Sequence, residues 1–437
     1  GHVDCLAHIL HHKMHQIHDT FLPEASSYGQ LSCLKYLHQH GAPLCMHGLC
    51  NAIRSDKAEC AEYMLQNRAV RKSDLLSGAF VSACKDCAKN YQMECIDVIF
   101  KHIHFAAVHQ AILSGAAEGG KLHTIKYYIE HDVQVAETLR LQVLSACARG
   151  GHLDCLTYLY GLGYVGDEKT FEAAAAGGNI HCISFLLEHN CPANENVCAT
   201  LAENGHYSCL VYAHEKSFSW DEGTCAGAAK TDLNILVFAH QHGCPWNTHT
   251  CIAAASAGRL DCLQYARSHG CRWDERVCEA AARGGHITSL RYAHENGCPW
   301  KLKSKSCYVK CEKIAASAAR APSPECLMYV VERGARVCKA AAFNAAHAKC
   351  IQSLQFLHSQ GCPWDASVFT EALREGAVDC LRYLHENGCP VNDYAYIGAF
   401  EPAYHYRQRT GCSVMESIAW EGRVSECRQY MEKNNLP

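Results

Sequence analysis

The sequence has no run of about 18 apolar residues and no cluster of lysines and arginines. Without such an apolar run no segment can span a bilayer, so we expect no membrane partner. The formal net charge is −4 at pH 7 with histidine neutral. Because surfaces that bind phosphate groups are usually basic, this charge balance predicts that nucleic acid is not a partner.

The chain also lacks the short motifs by which many enzymes are recognised. It has no nucleophile elbow, no phosphate-binding glycine loop, no dinucleotide-binding fingerprint and no zinc-protease helix. We therefore expect no enzymatic activity, no cofactor and no small-molecule substrate. A secretory signal is absent as well. The first residues, GHVDCLAHIL, fall inside a repeat, which predicts that natural sequence precedes Gly1.

Cysteine and histidine are abundant, with 31 and 29 residues, and both recur at a fixed interval. The segments AGRLDCLQYARSHGCRW and GGHITSLRYAHENGCPW begin at residues 257 and 284, which is 27 residues apart. A cysteine in the motif x-C-L-x-Y/F, or a small residue in its place, anchors each copy. The anchors are Cys5, Cys33, Cys60, Cys95, Thr124, Cys155, Cys182, Cys209, Ile235, Cys262, Ser289, Cys326, Ser353, Cys380 and Cys427. The chain therefore contains about fifteen repeats.

Each repeat predicts two short helices. In DERVCEAAARGG the alanines favour a first helix, Asp274 is placed to cap it and Gly284-Gly285 to end it. HITSLRYAHENG has an apolar stripe typical of a second helix, and Gly297 with the following Cys-Pro ends it. Neither helix can bury its apolar face alone, so neighbouring pairs must stack. We predict an all-α solenoid of helix–turn–helix repeats.

The pattern resembles the ankyrin repeat through its Ala-rich first helix, its Gly-Gly-His turn and its CLxYL second helix. The usual ankyrin period is about 33 residues with a T-P-L-H-x-A opening. Here the period is 27 and that opening is absent. The resemblance therefore implies a shortened variant whose β-hairpins are reduced or lost. The GCPW form is similar to ankyrin-repeat families expanded in giant viruses, amoebae and oomycetes.

Cysteine recurs at three positions: the second-helix anchor, the first helix and the residue before proline. The first-helix series is Cys198, Cys225, Cys251, Cys278, Cys307 and Cys338, and the pre-proline series is Cys191, Cys244, Cys271, Cys298, Cys362 and Cys389. Each position also accepts residues such as isoleucine, serine, threonine or phenylalanine, which is typical of packing and not of metal ligation. We expect buried free thiols in preference to disulfides. This indicates a reducing compartment, cytoplasmic or virion-associated, and not a secreted protein.

One cysteine group resembles a zinc site. Cys84, Cys87 and Cys95, followed by His102, have zinc-type ligands in a lengthened repeat. However, Cys95 is also a second-helix anchor, so packing is the preferred interpretation and we expect no metal. The histidines near the ends of second helices, such as His240 and His294, are predicted to stabilise the negative helix ends.

Tryptophan is also periodic, at Trp220, Trp246, Trp273, Trp300 and Trp364. One interpretation is structural, with each ring covering the base of the next helix pair. The other is an exposed strip that contacts a partner, for which Trp246, Trp273 and Trp300 are the candidates.

The period is interrupted at a few places, and insertions in repeat arrays often lie on the binding face. We predict a single ankyrin-like solenoid over 1–437. Its parts are irregular repeats at 1–118, regular repeats at 119–300, an insertion at 301–322, regular repeats at 323–390, a Tyr-rich insertion at 391–411 and a capping repeat at 412–437. The Tyr-rich insertion holds further candidates for partner binding: Tyr394, Tyr396, Phe400, Tyr404 and Tyr406. The alternative is that these rings cap the solenoid.

These observations predict a non-enzymatic scaffold or adaptor that binds another protein along the solenoid surface. The alternative is a structural component of a large assembly, such as a giant-virus particle. A zinc-stabilised regulator is a third interpretation.

Overall fold

The structure is a computed structural model that describes residues 3, 18–67, 74–131, 137–299, 311–391, 426–434 and 436. Across these residues the chain is all-helical and contains no strand. The chain divides into two compact units, Gly1–Ser219 (unit 1) and Trp220–Pro437 (unit 2). None of the described helices is long and apolar enough to cross a membrane.

Unit 1 contains seven helix pairs in its described part. They are α1 (His18–Ser27) with α2 (Leu31–Gln39), α3 (Met46–Arg54) with α4 (Ala58–Gln66), α5 (Gly78–Lys89) with α6 (Met93–His102), α7 (Ala106–Glu118) with α8 (Leu122–His131), α9 (Glu137–Gly150) with α10 (Leu153–Gly161), α11 (Glu168–Gly177) with α12 (Ile180–Glu188), and α13 (Val197–Glu203) with α14 (Tyr207–Glu215). A single 3-10 turn, Asp74–Leu76, precedes α5.

Unit 2 contains six described pairs and one further helix. The pairs are α15 (Glu222–Thr231) with α16 (Leu233–Gln241), α17 (Thr248–Ser256) with α18 (Leu260–Ser268), α19 (Glu275–Gly284) with α20 (Ile287–Glu295), α21 (Cys311–Ala318) with α22 (Glu325–Glu332), α23 (Lys339–His347) with α24 (Ile351–Ser359), and α25 (Ala366–Arg374) with α26 (Val378–Glu386). The further helix covers residues 426–433. Every anchor position from Cys33 to Cys427 lies on the second helix of a pair or on this last helix, which confirms the predicted fold class.

The helix boundaries follow the predicted signals. The Asp274 carboxylate accepts the backbone N–H of Arg276 at 3.0 Å and so stabilises the start of α19. The helix ends at Gly284, and Gly285 follows with a φ of +76°, a conformation in which glycine avoids the cost of a Cβ.

The first helices are the odd-numbered ones, and neighbouring first helices pack closely against each other. Neighbouring second helices approach each other less closely. A Cβ placed on Gly177 in α11 would lie 2.1 Å from the backbone oxygen of Arg149 in α9. This contact explains why the first helices are rich in alanine and glycine. The second helices cover this layer with buried anchors and leucines, such as Cys155, Leu156 and Leu159.

The cysteines are packing residues, as the sequence predicts. Of the 27 cysteines whose side chains the structure describes, 26 are buried, and Cys45 alone is half-buried. Burial raises the pKa of thiols such as Cys182 and Cys326 to about 11, so they are protonated at neutral pH. The other anchors behave in the same way, because Thr124, Ser289 and Ser353 are fully buried. Cys338 differs from the other described members of its series, since it caps α23 and does not lie inside it.

The pre-proline cysteines have a second role. The thiol donates a hydrogen bond to the backbone oxygen of the residue that caps the first helix of the same pair. The six bonds are Cys191 to Asp167 (3.4 Å), Cys244 to Asp221 (3.2 Å), Cys271 to Asn247 (3.2 Å), Cys298 to Asp274 (3.1 Å), Cys362 to Cys338 (3.1 Å) and Cys389 to Asp365 (3.5 Å). We call this bond the thiol clasp. It links the residue before the first helix to the segment that follows the second helix of the same pair. It thereby helps to fix the position of the next helix pair.

Two of the predicted domain parts lie largely outside the described residues, namely the Tyr-rich insertion at 391–411 and the capping repeat at 412–437. The insertion at 301–322 is described from residue 311 onward. The predicted part boundaries stay predictions.

We predict that Cys271→Ala lowers the free energy of unfolding by about 1 kcal/mol, because the clasp bond and a buried sulfur are lost. Cys271→Ser keeps a donor and should cost less. Cys45→Ala is the matched control at a half-buried cysteine. Urea unfolding followed by circular dichroism measures the change, and equal midpoints for Cys271→Ala and Cys271→Ser would show that the clasp contributes nothing.

Candidate binding surfaces

The tryptophan candidates are half-buried and lie against the end of the second helix that precedes them. Trp246 stacks on His240 with 3.8 Å between ring centroids, and Trp364 lies over His358 at 4.2 Å. Trp273 has the Arg267 guanidinium 4.3 Å from its ring centroid. Each ring also makes an edge contact with a tyrosine of the next second helix, Trp246 with Tyr265, Trp273 with Tyr292 and Trp364 with Tyr383. Contact of Trp246 and Trp273 with a partner stays a prediction. Trp300 lies outside the described residues.

Histidines near the ends of second helices, His240 and His358 among them, join neighbouring second helices. In each case the imidazole Nδ1 lies 2.9 Å from the hydroxyl oxygen of a tyrosine on the next second helix. These bridges are His38–Tyr63, His240–Tyr265, His294–Tyr329, His358–Tyr383 and His385–Tyr430. The predicted role at helix ends holds for other histidines, since His40 and His242 bond to backbone oxygens of their own helices at 2.8 Å. His240 and His294 instead form bridges between repeats.

The pKa values of two bridging histidines, His240 and His294, are lowered. Burial lowers the pKa of His240, and the neighbouring His269 lowers it further. Burial also lowers the pKa of His294, with a smaller contribution from the positive charge of Arg333. Both imidazoles are therefore held in their neutral form in the folded protein.

The histidine that follows the turn glycine is structural as well. His152, His206 and His286 place Nε2 2.9 to 3.1 Å from backbone oxygens at the end of the first helix of the preceding repeat. Helix ends leave such carbonyl groups without partners, and an imidazole satisfies one of them. The recurring histidines therefore stabilise the array and do not form a copied catalytic site.

The weak zinc candidates Cys84, Cys87 and Cys95 lie on α5 and α6, and His102 lies at the end of α6. Cys84, Cys87 and Cys95 are fully buried. Their ligand atoms and that of His102 do not form a set lying within 4.8 Å of one another. Burial raises the pKa of Cys84, and the Cys87 thiol together with burial raises that of Cys95, which opposes the thiolate form that zinc requires. His102 instead faces the Glu62 carboxylate at 3.5 Å.

A groove of about 970 Å³ crosses the first helices of unit 1. Its floor includes Leu141, Ser145, Ala146 and Ala173, from α9 and α11. Small residues on the closely packed first helices leave this space open. The groove residues include neither histidine nor cysteine, and the Ser145 hydroxyl oxygen lies 3.4 Å from that of Thr170.

The rim of the groove carries charged side chains. Glu118 is paired with Lys85, at 2.6 Å, and lies 3.9 Å from Lys89. Arg149 and Lys169 are exposed and form no ion pair with another described residue. The lining holds three cations, Lys89, Arg149 and Lys169, and three carboxylates, Glu118, Asp167 and Glu172. Glu118 is paired with Lys85 and Asp167 caps α11, so Arg149, Lys169 and Glu172 are the exposed charges on the rim that remain open to a partner.

The sequence pattern did not single out these groove residues. They come from five first helices and are brought together only by stacking. The available signal is positional, because Lys89, Glu118 and Arg149 each lie two residues before a turn residue with positive φ.

The remaining candidates, Tyr394, Tyr396, Phe400, Tyr404 and Tyr406, lie outside the described residues. Their proposed contact with a partner stays a prediction.

No protein-family model matches the chain, and no curated protein matches it. Among solved structures it is similar to the pentatricopeptide repeat protein PPR10 from maize, with 13% identity over 100% of this chain and 71% of that chain, at a TM-score of 0.34. PPR10 in complex with an 18-nt psaJ RNA element gives 11% identity over 99% and 72%, at 0.37. The human ASB11 ankyrin repeat domain gives 17% identity over 51% of this chain and 98% of that chain, at 0.30. At such identities only the fold is shown, and the chain is a helical repeat protein.

The prediction that nucleic acid is excluded as a partner is contradicted by these comparisons, because PPR10 is a repeat protein solved in complex with RNA. Net charge and runs of basic residues along a sequence do not predict the charge of a solenoid face, because side chains far apart in sequence gather on one face. Nucleic acid is no longer excluded.

We predict that acidification from pH 7.5 to 5.5 lowers the thermal midpoint, partly through His240 and His294. Their folded pKa values are lowered, so below about pH 6.5 the unfolded chain takes up protons first. The stabilisation is complete above that pH and is lost as the pH falls towards the folded pKa. The double variant His240→Gln and His294→Gln should show a smaller loss in a thermal melt, whereas His181→Gln, at an exposed histidine, should match the wild type. Identical pH dependence in all three proteins would contradict the assignment.

Proposed function

We propose that the chain is a non-enzymatic scaffold that binds a segment of another protein in the groove of unit 1. The groove itself is the main support. Its volume suits an inserted peptide segment, and its lining combines small and apolar residues such as Ala146 and Ala173 with charged side chains at its rim.

The charge on the rim defines the partner further. Arg149 and Lys169 are exposed and form no ion pair with another described residue, Glu118 is paired with Lys85, and Asp167 is engaged as the cap of α11. A peptide with acidic side chains and a few apolar residues matches this arrangement, because charged groups at a rim steer association and apolar groups supply the buried area.

We also retain the sequence-based proposals that the structure does not test. The chain is an ankyrin-type repeat protein of the short GCPW form, and its buried, unpaired thiols favour a reducing compartment, cytoplasmic or virion-associated. Its aromatic insertion at 391–411 is a second surface for a partner. The alternative function is a structural role in a large assembly.

The groove is tested with the double variant Arg149→Glu and Lys169→Glu. We expect at least about tenfold weaker binding of a fluorescent Asp- and Glu-rich peptide that also carries leucines, and the same loss for protein partners captured on the full chain. Tenfold corresponds to about 1.4 kcal/mol. Fluorescence anisotropy and affinity capture with mass spectrometry provide the measurements.

Arg283→Glu is the matched control, because Arg283 stands before the same Gly-Gly-His turn in unit 2 that Arg149 precedes in unit 1. It should leave peptide binding unchanged. Equal binding by wild type and the groove variant would overturn the groove proposal. Tighter binding of a single-stranded RNA probe than of the peptide, with the RNA binding lost in the groove variant, would replace the protein partner with nucleic acid.

The aromatic insertion is tested separately with Tyr404→Ala and Tyr406→Ala. As an interface, these residues should reduce partner capture while the thermal midpoint stays within about a degree of wild type. A lowered midpoint with unchanged capture would assign the rings to the capping role.

A further inference from the structure

Three side chains of unit 2 that differ in type from their counterparts in the repeat at 274–297 come together between two first helices. They are His347 in the last turn of α23, and Glu371 and Glu375 at the end of α25. One ligand atom from each residue lies within 4.8 Å of those of the other two. No other group of this kind occurs among the described residues.

The backbone brings these donors together in a simple way. Glu371 and Glu375 are four residues apart, at and just after the last turn of α25, so they lie on one face of the helix end. Stacking of α23 on α25 places the imidazole between them. His347 Nδ1 is 2.7 Å from Glu371 Oε1 and 3.5 Å from Glu375 Oε1.

Both carboxylates are withdrawn from solvent, which distinguishes them from an ordinary acidic surface. The Glu371 side chain is 3% exposed and that of Glu375 is 12% exposed. Two carboxylates this close and this buried require positive charge nearby. The nitrogen that lies between them belongs to histidine, which is also a good metal ligand in its neutral form.

Two cationic side chains contact the carboxylates at the edge of the cluster, and both remain partly exposed to solvent. Arg374 Nη2 binds Glu371 at 2.7 Å and Lys349 Nζ lies 3.7 Å from Glu375. Their side chains are 40% and 36% exposed, so both can turn into solvent. The recorded partners of Glu371 both contact Oε1. A metal ion at this oxygen would therefore compete with one exposed cation, Arg374, and with the imidazole that would itself become a ligand.

We propose that His347, Glu371 and Glu375 form a binding site for one divalent first-row transition metal, with zinc as the metal that best suits the donors. One imidazole nitrogen and two carboxylates are a mixed nitrogen and oxygen set, which suits zinc or manganese better than magnesium or calcium. The metal would replace the contact of Arg374 with Glu371 and would clamp α23 to α25. The site is independent of the thiols and of the unit 1 groove.

The sequence departs from its repeat at the positions that build this site. Counting from the helix cap, Glu371 replaces the residue equivalent to Ala280, and Glu375 replaces the first glycine of the turn, Gly284. His347 stands where Arg283 stands in α19. A change at three positions in two consecutive repeats converts a packing surface into a cluster of metal donors.

The test uses Co²⁺ as the probe, because its absorption spectrum separates thiolate ligands from nitrogen and oxygen ligands, and this chain is rich in thiols. Titration of the reduced full chain should show one equivalent bound without the intense near-ultraviolet band of Co²⁺–thiolate bonds. Competition with Zn²⁺ should remove that signal. Magnesium in large excess should not.

His347→Ala and, separately, Glu375→Gln should weaken Co²⁺ binding at least about tenfold, and wild-type protein should melt at a higher temperature with Zn²⁺ than without it. The exposed His181→Ala is the matched control and should bind as wild type. Glu375→Gln changes only a partly exposed carboxylate, so it tests the site even if His347→Ala fails to fold. Unchanged binding in both variants, thiolate-type absorption alone, or no binding by wild type would overturn the proposal.

Discussion

Close contact between the backbones of neighbouring first helices governs the geometry of this protein. In α7, a Cβ on Gly115 would lie 2.1 Å from the backbone oxygen of Lys85, and Gly177 stands in the same relation to Arg149. Larger side chains would separate the helices and with them the helix pairs. The second helices would then move apart as well, and the 2.9 Å bridges between histidine and tyrosine require them to stay in place. Small residues in one layer therefore make specific polar contacts possible in the other.

Cysteine suits this design because it is small, apolar and still able to donate a weak hydrogen bond. At the anchor position it fills a space that threonine and serine also occupy, as Thr124 and Ser353 do without exposure. Before proline its thiol closes the clasp onto the helix cap. The cysteine side chain thus fills space in the core at the anchor position, and before proline it bonds to the cap of the first helix. A high cysteine content here reflects repetition of two structural roles.

The regular part of the fold could be predicted from the sequence because it depends on local signals. Asp274, Gly285 and Gly297 begin and end helices by contacts within a few residues, and the 27-residue interval follows from them. Contacts between repeats could not be predicted in this way. The bridge from His240 to Tyr265 joins residues 25 apart, and the meeting of His347 with Glu371 joins residues 24 apart. Such pairs form only when particular helix faces point towards the neighbouring repeat. The periodic pattern of residues does not specify which faces these are.

One position of the repeat links the candidate sites. It lies two residues before the turn residue with positive φ, and it holds Lys89, Glu118, Arg149, His347 and Arg374 in different repeats. Most other positions of the first helix are restricted by backbone contact, by the core or by the cap. A side chain at this one can reach the open face of the first helices, so it can change without loss of the fold. The groove rim uses this position three times and the His347 cluster uses it twice. Variation at a position that the architecture leaves unrestricted thus gives a uniform array local differences in charge and in donor groups.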